Sequence, residues 1–338
     1  MKDGRFITLG IETSCDETAC AIVADGRVLM SNIISSQIDI HTSYGGVVPE
    51  IASRQHLTDI NQCIEEALSQ GGVSLQELDL IAVTKGPGLI GALVIGVAAA
   101  KALALTTGKP LIGVNHMHGH ISSNYLSYPK LEPPFLSLVV SGGHTNLVRV
   151  DSYREYRVLG STRDDAAGEA YDKVARVIGL GYPGGPKIDE AAKSGNPESI
   201  HFKRVLLEKG SYDFSFSGIK TQVMNYVNSE RQAGREISVP DVAAGFQEAV
   251  VEVMVEKALY AVKNEGEDRL VMAGGVAANS RLREAMEAAC KKEGIELFLP
   301  EKPLCTDNAA MIAVAGYYEY INGRQDDLRL DAYADLEF

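Results

Sequence analysis

The chain has 338 residues, 45% of them hydrophobic and 23% charged, and its formal net charge is −13. This length and composition are typical of an ordinary globular protein with two domains and ample core. Taken alone, the excess of 45 acidic over 32 basic residues argues against a nucleic-acid partner, because phosphate binding needs a positive field.

Three features bear on the cell compartment. The 5 cysteines form no CxxC pair and leave one over, which indicates reduced thiols in the cytoplasm rather than a disulfide framework. Residues 1–5 are polar and are followed directly by a predicted strand, so we expect no signal peptide. Segment 89–107 is apolar, but Lys101 interrupts it and Gly and Ala predominate. We therefore expect a buried core helix there and no membrane span.

The first half begins with a predicted meander of three strands. Aliphatic and β-branched runs separated by turn residues, including Asp25-Gly26, predict strands at 6–12, 19–24 and 28–34. The elements predicted after this meander are a helix from 49 to about 70, a strand at 80–84, a helix at 91–107 and a strand at 111–114.

The same order of elements recurs in the second half. A second meander is predicted at 135–141, 145–150 and 157–161. The elements predicted after it are helices around 168–180, 218–231 and 239–264, a strand at 270–273, a helix at 280–293, a strand at 296–299 and a helix at 306–320.

Two meanders, each opening a mixed α/β unit, predict a duplicated architecture of two lobes with a nucleotide cleft between them. Prolines interrupt the periodicity at 126–134 and place the boundary there. We predict an N-terminal lobe at 1–130 and a C-terminal lobe at 131–338. The helical, polar region at about 195–264 is interpreted as an insertion in the second lobe.

Three of the 7 histidines lie close together, at His116, His118 and His120. If a helix begins after the strand at 111–114, His116 and His120 share one face and can bind one metal ion, while His118 points elsewhere. The alternative is a helix start with solvent-exposed histidines. Met117 follows His116, so the zinc-protease pattern HExxH is absent.

Asp307 is a candidate third ligand, because it is predicted near a helix start. Its alternative role is that of a carboxylate stabilised by the helix dipole, and spacing alone favours this alternative. Two histidines and one carboxylate would leave coordination positions open, as a catalytic metal requires.

Glycine-rich turns follow predicted elements at 141–143, 181–186 and 274–276, and the last two precede helices. Each turn alone is explained as a tight turn. Together with Asp172 and Asp189 they favour a bound nucleotide. No P-loop motif occurs in the sequence.

Acidic and hydroxyl residues crowd the first hairpin. Asp16 and Glu17 lie in its turn, where such residues are often simply solvated. Glu12 ends a strand of buried type, so it is the better candidate for a cleft-facing carboxylate.

These motifs together resemble one family over residues 6–316. They are found at 10–18, 48–54, 86–89, 116–120, 141–145, 168–173, 182–186, 214–220, 274–279 and 305–310. The sequence is similar to the tRNA threonylcarbamoyladenosine transferases of the bacterial TsaD type. The resemblance implies an actin/hexokinase/Hsp70-like (ASKHA) fold and one divalent metal per subunit, Fe²⁺ or in some cases Zn²⁺.

The resemblance also implies roles for individual residues. His116, His120 and Asp307 match the family's metal ligands. The positions that match residues holding the threonylcarbamoyl-AMP substrate are Val139, Val140, Ser141, Gly142, Gly143, Asp172, Gly185, Asp189 and Asn279. One departure is His118, which stands where bacterial members often carry Glu; it leaves the histidine pair intact.

The implied reaction is acyl transfer to the exocyclic amine of the adenosine beside the anticodon, in tRNAs that read codons beginning with adenine. The metal would orient the substrate and polarise its oxygens, and the glycine-turn amides would hold the adenylate. Glu12 is a candidate for positioning the substrate or the incoming amine.

Partners follow from the resemblance: tRNA, a paralogous TsaB-type subunit and a small TsaE-type ATPase that uses ATP. Lys173 with Arg176, and Lys203 with Arg204, are candidates for a local RNA-facing stripe, as are Lys291 and Lys292. Solvated helix faces are the more common meaning of such pairs. Binding of tRNA by this chain alone is expected to be weak and salt-sensitive. A homo-oligomer remains open, and we expect no membrane partner.

Two alternatives use the same fold. A small-molecule or sugar kinase would transfer phosphate from the bound nucleotide and would not need His116 and His120. A non-catalytic scaffold paralogue would not need to keep both histidines and Asp307. A peptidase is disfavoured, because the sequence contains neither the HExxH glutamate nor an apparent nucleophilic triad.

Overall fold

The computed structural model describes residues 4–208 and 210–338, so residues 1–3 of the polar start lie outside the described residues. The described chain divides into two compact units. The first contains the described residues up to Pro133, Val150–Tyr156 and the residues from Pro300 onward. The second contains the described residues of Pro134–Arg149 and Arg157–Leu299.

The first sheet has five strands: β1 (Ile7–Glu12), β2 (Glu17–Ala24), β3 (Val28–Ser36), β4 (Leu80–Gly86) and β5 (Leu111–Asn115). Their order is β3-β2-β1-β4-β5. The three strands of the meander pair antiparallel, and β4 and β5 add to β1 in parallel. Strands β1 and β5 are buried throughout, which explains their nearly continuous apolar sequence.

The second sheet repeats this arrangement. Its strands are β6 (Phe135–Val140), β7 (Thr145–Ser152), β8 (Glu155–Ser161), β9 (Arg269–Ala273) and β10 (Glu296–Phe298). Their order, read from the opposite edge, is β8-β7-β6-β9-β10. The meander is again followed by two strands on the far side of its first strand. The duplicated α/β architecture predicted from the repeated order of elements is therefore confirmed.

The named helices account for most of the remaining regular structure. They are α1 (Ile38–Thr42), α2 (Pro49–Gly71), α3 (Ile90–Thr107), α4 (His116–Ser122), α5 (Asn124–Ser127), α6 (Ala167–Val177), α7 (Gly184–Ala192), α8 (Ser217–Gln232), α9 (Val239–Glu265), α10 (Ser280–Glu293) and α11 (Ala309–Ile321). Proline opens α2, and Gly72 and Gly108 end α2 and α3 in the left-handed conformation, with φ of 62° and 68°.

Helix α11 belongs to the first unit although it lies far along the chain. It packs against β1, β2, β4 and α4. This packing requires glycine at position 10, because a Cβ there would lie 2.1 Å from the Ala309 carbonyl oxygen. Residues from Pro300 onward thus join the first unit, whereas we predicted one lobe over 131–338. The sequence periodicity reveals the helix but not the sheet on which it packs.

Helix α3 differs from the expected buried core helix. It is long and apolar enough to cross a membrane by length and composition, yet only 33% of it is buried. Leu93 and Val97 are buried, whereas Ile90, Val94 and Leu105 are exposed. One face of α3 packs against β4 and α2, and the opposite face is open in this chain.

Candidate metal centre and substrate loops

The predicted histidine pair lies at the junction of β5 and α4. Asn115 ends the strand and caps the helix, so His116 is the first helical residue and His120 lies one turn later. Both imidazoles therefore project from one face of α4. His116 is 7% exposed and His120 is 0% exposed. The alternative of solvent-exposed histidines does not hold.

Asp307 lies beside both histidines, in the turn that precedes α11. Its Oδ1 is 3.5 Å from His116 Nε2 and 3.2 Å from His120 Nε2. One donor atom from each residue lies within 4.8 Å of the other two. Two ligands that bind one ion at about 2.1 Å, at tetrahedral or octahedral angles, are themselves about 3.0–3.4 Å apart. The spacing of the three side chains therefore fits a single ion.

The chemistry of this cluster also fits a metal. Both ring nitrogens of His120 are buried, and neither forms a hydrogen bond of good geometry among the residues that the structure describes, although Nε2 lies 3.2 Å from Asp307 Oδ1. A buried polar atom without such a hydrogen bond is costly. A metal bound at Nε2 would satisfy it. Imidazole and carboxylate ligands suit Fe²⁺ and Zn²⁺, and three protein ligands leave room for a substrate atom.

The electrostatics of the cluster couple His116 to two carboxylates. Burial by itself would lower the pKa of His116, but Asp307 and Glu12 raise it well above its ordinary value. Burial opposes ionisation of Asp307, yet the two histidines hold its pKa below the ordinary value. Because a metal ligand must be a neutral imidazole or an ionised carboxylate, protons compete with a cation for this site.

Glu12 lies behind His116, at the end of β1, and is completely buried. Its Oε2 is 3.0 Å from His116 Nδ1 and accepts a 2.5 Å hydrogen bond from Thr84 Oγ1. Its Oε1 accepts a hydrogen bond from the Ser14 amide at 2.5 Å. A carboxylate on Nδ1 fixes the tautomer in which Nε2 is free to bind a metal. The structure therefore gives Glu12 a histidine partner, where we predicted a cleft-facing carboxylate.

The first hairpin is held against this site by His56, which the sequence reasoning missed. On α2, His56 contacts Thr18 Oγ1 at 2.7 Å and the Cys15 carbonyl oxygen at 3.0 Å. Asp16 is only 7% exposed, so it is not a solvated turn residue. Burial, together with Asp307 and Asp16, raises the pKa of Glu17 to about 9. Because His56 lies inside a long helical pattern, the sequence gives no signal for its contacts with Thr18 and Cys15.

His118 points away from the candidate metal ligands, as predicted. Its ring stacks on Tyr156 at a centroid distance of 3.8 Å, and its Nδ1 is 3.7 Å from Glu319 Oε1. Burial lowers the pKa of His118. The departure from the family pattern at this position therefore lies on the opposite face of α4.

In the second unit, the loop after β6 contains the predicted glycine turn at 141–143. The side chains of Val139 and Val140 are fully buried, so only their backbone can reach a ligand. A Cβ added at Gly142 or Gly143 would meet nothing within 4 Å. Neither glycine has a left-handed φ. Packing and backbone conformation therefore do not require glycine here.

Gly185 lies in the first turn of α7, and a Cβ added there would also meet nothing within 4 Å. Gly274 is a useful contrast, because its φ is +89° and a Cβ would lie 2.4 Å from the Val140 carbonyl oxygen. The fold explains Gly274. For Gly142, Gly143 and Gly185, the structure leaves room for a ligand to approach the backbone closely. A substrate-binding role for these glycines stays a prediction.

Each of the three predicted polar substrate residues joins the start of one helix to another helix. Asp172 Oδ1 accepts a hydrogen bond from the Gly184 amide at 2.7 Å. Asp189 accepts from Ser280 Oγ at 2.8 Å. Asn279 caps α10 and donates to Gln247 Oε1 at 2.7 Å. These contacts bring α6, α7 and α10 together around the loops; a binding role for the three side chains stays a prediction.

Some of the basic residues considered for an RNA-facing stripe are engaged in ion pairs. Lys173 contacts Asp165 at 2.7 Å and Glu169 at 2.8 Å. Arg204 contacts Glu252 at 2.5 Å. These pairs reduce the positive charge that the residues offer to phosphate.

Comparisons with known proteins agree with this picture. Residues 28–314 match the model of the family described as TsaD, tRNA N6-adenosine threonylcarbamoyltransferase. Proteins of that name are similar over their full length. The one from Clostridioides difficile (strain 630) is 54% identical and covers 98% of both chains, and one from Clostridium botulinum (strain Hall) is 55% identical and covers 100% of this chain and 99% of its own.

Solved structures resemble the chain in fold alone. Full-length HypF has a TM-score of 0.64 at 15% identity and covers 94% of this chain and 47% of its own. Component A of the Acidaminococcus fermentans (R)-2-hydroxyglutaryl-CoA dehydratase has a TM-score of 0.53 at 16% identity and covers 94% of this chain and 99% of its own.

The repeated sheet order and these neighbours define the class: a duplicated α/β protein of the actin/hexokinase/Hsp70-like fold, with a candidate His-His-Asp metal site in its first unit. Within this class, the family model and the full-length relatives are decisive. The chain belongs to the tRNA N6-adenosine threonylcarbamoyltransferase family, and it is a transferase.

Proposed function

We propose that this chain transfers the threonylcarbamoyl group of threonylcarbamoyl-AMP to the exocyclic amine of the adenosine beside the anticodon, in tRNAs that read codons beginning with adenine. The amine nitrogen forms a bond to the carbamoyl carbonyl carbon, and the bond from that carbon to the phosphate oxygen breaks. AMP leaves with the electron pair, and the amine releases a proton. The mixed anhydride is already activated, so no serine or cysteine nucleophile is required. Family membership and the His116–His120–Asp307 cluster together support this proposal.

The cluster would hold one divalent metal through Nε2 of His116, Nε2 of His120 and a carboxylate oxygen of Asp307. Resemblance to the family favours Fe²⁺, with Zn²⁺ as the alternative. A bound metal of this kind supplies Lewis-acid polarisation of a substrate oxygen. We assign Glu12 to the orientation of His116 rather than to direct contact with substrate, since its carboxylate is buried and engaged by His116, Thr84 and Ser14.

The loops of the second unit would hold the adenylate. The open faces of Gly142, Gly143 and Gly185 support this assignment, because a phosphate can approach backbone amides there without meeting a side chain. Donors fixed in this way also stabilise the negative charge that builds up on the departing phosphate. Val139, Val140 and Ser141 would contribute backbone, while Asp172, Asp189 and Asn279 would shape the loops or contact the nucleoside.

Partner subunits are part of the proposal. A net charge of −13 disfavours tRNA binding by this chain alone. We therefore propose that a TsaB-type paralogue supplies part of the tRNA surface and that a small TsaE-type ATPase uses ATP during turnover. We also propose a cytoplasmic location, which the tRNA substrate and the 5 cysteines that form no disulfide support. Association with further copies of this chain is also compatible with the proposal.

The test is reconstitution with synthetic threonylcarbamoyl-AMP, partner subunits and unmodified tRNA, followed by mass spectrometry of the nucleosides. We expect the modified adenosine with the wild-type chain and a loss of about 100-fold or more in rate for His116→Ala and Asp307→Ala, because losing a metal ligand should cost at least as much as the roughly 10–100-fold lost with an outer-shell partner. His201→Ala is the matched control, because His201 is exposed and lies in the second unit.

Wild-type rates in both ligand variants would overturn the metal assignment. No modified nucleoside with the wild-type chain would overturn the proposed reaction. The competing kinase is tested in the same preparation, with labelled ATP and a panel of sugars. Phosphoryl transfer to a sugar, unaffected by His116→Ala, would favour the kinase, and inactivity in both assays would favour the scaffold.

A further inference from the structure

Residues 324–338, here called the strap, follow α11 and lie against the first sheet. Asp326 pairs with the edge strand β5: its amide donates to the Leu111 carbonyl oxygen at 2.9 Å, and its Oδ2 accepts from the Gly113 amide at 2.8 Å. Leu330 is 7% exposed and joins the core under α3. The strap therefore begins as a cover for an otherwise open sheet edge.

The strap next binds the turn between β4 and α3. The Tyr333 amide donates to the Lys85 carbonyl oxygen at 2.7 Å, and the Gly88 amide donates to the Ala334 carbonyl oxygen at 3.1 Å. At Gly86 the strap passes so close that a Cβ would lie 2.2 Å from the Tyr333 carbonyl oxygen. The fold thus requires glycine at position 86 in order to seat the strap.

This turn connects directly to the metal site. The Leu89 amide, one residue beyond Gly88, donates to the Ser14 carbonyl oxygen at 2.7 Å. Ser14 Oγ is 3.2 Å from His116 Nδ1, the same nitrogen that contacts Glu12. A shift of the turn would therefore move groups that surround a metal ligand.

The end of the strap contacts the helix that carries both histidines. Asn115 Nδ2 donates to the Glu337 carbonyl oxygen at 2.8 Å, while Asn115 Oδ1 accepts from the Met117 amide at 2.8 Å. One side chain thus joins the strap to the first turn of α4. The Phe338 ring lies 5.4 Å from the ring of His118, on the face of α4 opposite the metal ligands.

Helix α4 has only seven residues, and a helix this short is not stable by itself, so its orientation depends on the groups packed around it. Metal ligands must be held to within about 0.2 Å of their ideal distances. We propose that the strap is a positioning element of the metal centre. By holding Asn115, the 85–88 turn and the His118 face of α4, it sets the geometry with which His116 and His120 meet the ion.

The proposal rests on the metal site of the proposed function, and its test measures metal binding rather than activity. Asn115→Ser keeps a hydroxyl that can cap α4 but loses the amide donor to the strap. Gly86→Ala displaces the strap from the other side. Gly108→Ala is the matched control, since Gly108 has a similarly restricted φ of +68° but open space around it.

Affinity for Zn²⁺ and Co²⁺ is measured by competition with a chromophoric chelator, alongside the visible spectrum of the Co²⁺ form and circular dichroism of the metal-free protein. We expect Asn115→Ser and Gly86→Ala to bind both metal ions about 10–100-fold more weakly than the wild type, as when an outer-shell partner is lost. The visible bands of the Co²⁺ form should change, and the circular dichroism spectrum should show a retained fold. Gly108→Ala should bind like the wild type. If Gly86→Ala does not fold, Asn115→Ser decides.

Wild-type affinity and spectrum in a folded Asn115→Ser variant would overturn the strap proposal and leave the metal site intact. A wild-type chain that binds no metal, or a His116→Ala variant that binds as tightly as the wild type, would overturn the metal site of the proposed function. The two failures are therefore distinguishable.

Discussion

At the scale of single residues, the candidate metal site is organised by hydrogen bonds from groups outside the His116–His120–Asp307 cluster. Glu12 is the main example: it is buried behind His116, and its carboxylate fixes which ring nitrogen faces Asp307. Burial would raise the pKa of Glu12, but His116 lowers it, so the carboxylate stays ionised beside the imidazole. Such a partner raises the basicity of a metal ligand without binding the metal.

Replacing Glu12 by Gln should therefore weaken metal binding. The amide keeps the shape of the side chain but carries no charge, and we expect the metal dissociation constant to rise about 10–100-fold. Chelator competition measures the change, and Glu50→Gln is the control because its side chain is 77% exposed. An unchanged dissociation constant would contradict the orienting role and reopen a direct contact of Glu12 with substrate.

Gly142 gives a second prediction at this scale. Because a Cβ there meets nothing, Gly142→Ala should change the free energy of unfolding by less than about 0.5 kcal/mol. Affinity for AMP, measured by calorimetry, should nevertheless fall about tenfold or more, since a methyl group would stand where the phosphate approaches.

Gly274→Ala serves as the contrasting variant, and its main effect should be loss of stability, because its added Cβ would clash with the Val140 carbonyl oxygen. Equal AMP affinity in Gly142→Ala and the wild type would remove the loop at 141–143 from the binding site.

At the scale of elements, short helices and turns in this protein are fixed by side chains from elsewhere in the chain. Asp164 accepts hydrogen bonds from the amides of Phe216 and Ser217 at 2.8 and 3.1 Å, so it holds the start of α8. Its neighbour Asp165 binds Lys173 of α6 at 2.7 Å and Lys220 of α8 at 2.5 Å. One carboxylate thus joins two helices of the second unit.

Asp165→Asn should lower the free energy of unfolding at pH 7 by about 1.5–3 kcal/mol, the range for hydrogen bonds to charged groups. Burial opposes ionisation of Asp165, but the two lysines hold its pKa below the ordinary value. The folded pKa is therefore lower than the unfolded one. The stabilisation is complete above about pH 4–5 and is lost as the pH falls through the folded pKa.

Urea unfolding at pH 7, 5 and 3.5 tests this prediction. The difference in the free energy of unfolding between wild type and Asp165→Asn should be similar at pH 7 and pH 5 and smaller at pH 3.5. Glu190→Gln is the control, because the Glu190–Lys193 pair is largely exposed, with side chains 76% and 58% accessible, and exposed pairs contribute little. A free-energy difference that grows as the pH falls would contradict the stabilising role of the ionised Asp165 carboxylate.

At the scale of the whole molecule, charge and substrate are in tension. The chain carries a net charge of −13, and Lys173 and Arg204 are already paired with carboxylates. A tRNA substrate nevertheless follows from the proposed function. This tension is resolved if partner subunits supply much of the phosphate contact.

We therefore expect the isolated chain to bind tRNA with a dissociation constant above about 1 μM at physiological salt. We also expect this dissociation constant to rise further as the salt concentration rises. Fluorescence anisotropy with labelled tRNA at several salt concentrations, with and without the partner subunits, measures both effects. Tight binding by the isolated chain that does not change with salt would contradict this expectation.

Much of the fold could be predicted because its signals are local. The alternation and length of apolar runs placed strands such as β1 and β6 close to their observed bounds, and the helix predicted from 49 to about 70 matches α2 closely. Repetition of the element order predicted the duplicated sheets. These signals depend on backbone conformation and side-chain periodicity over a few residues, which a sequence displays directly.

The site was predictable only in part, for the same reason. The one-turn spacing of His116 and His120 is local, so the sequence by itself determined that both face one side of a helix. The tertiary structure decided that Glu12 lies behind His116, 104 positions away in the chain. It also decided that Asp307 lies beside both histidines, because the residues from Pro300 onward pack in the first unit. It also decided that the strap reaches Asn115, 222 positions from Glu337. Such contacts arise from the packing of whole elements, and the spacing of residues along the chain does not contain that information.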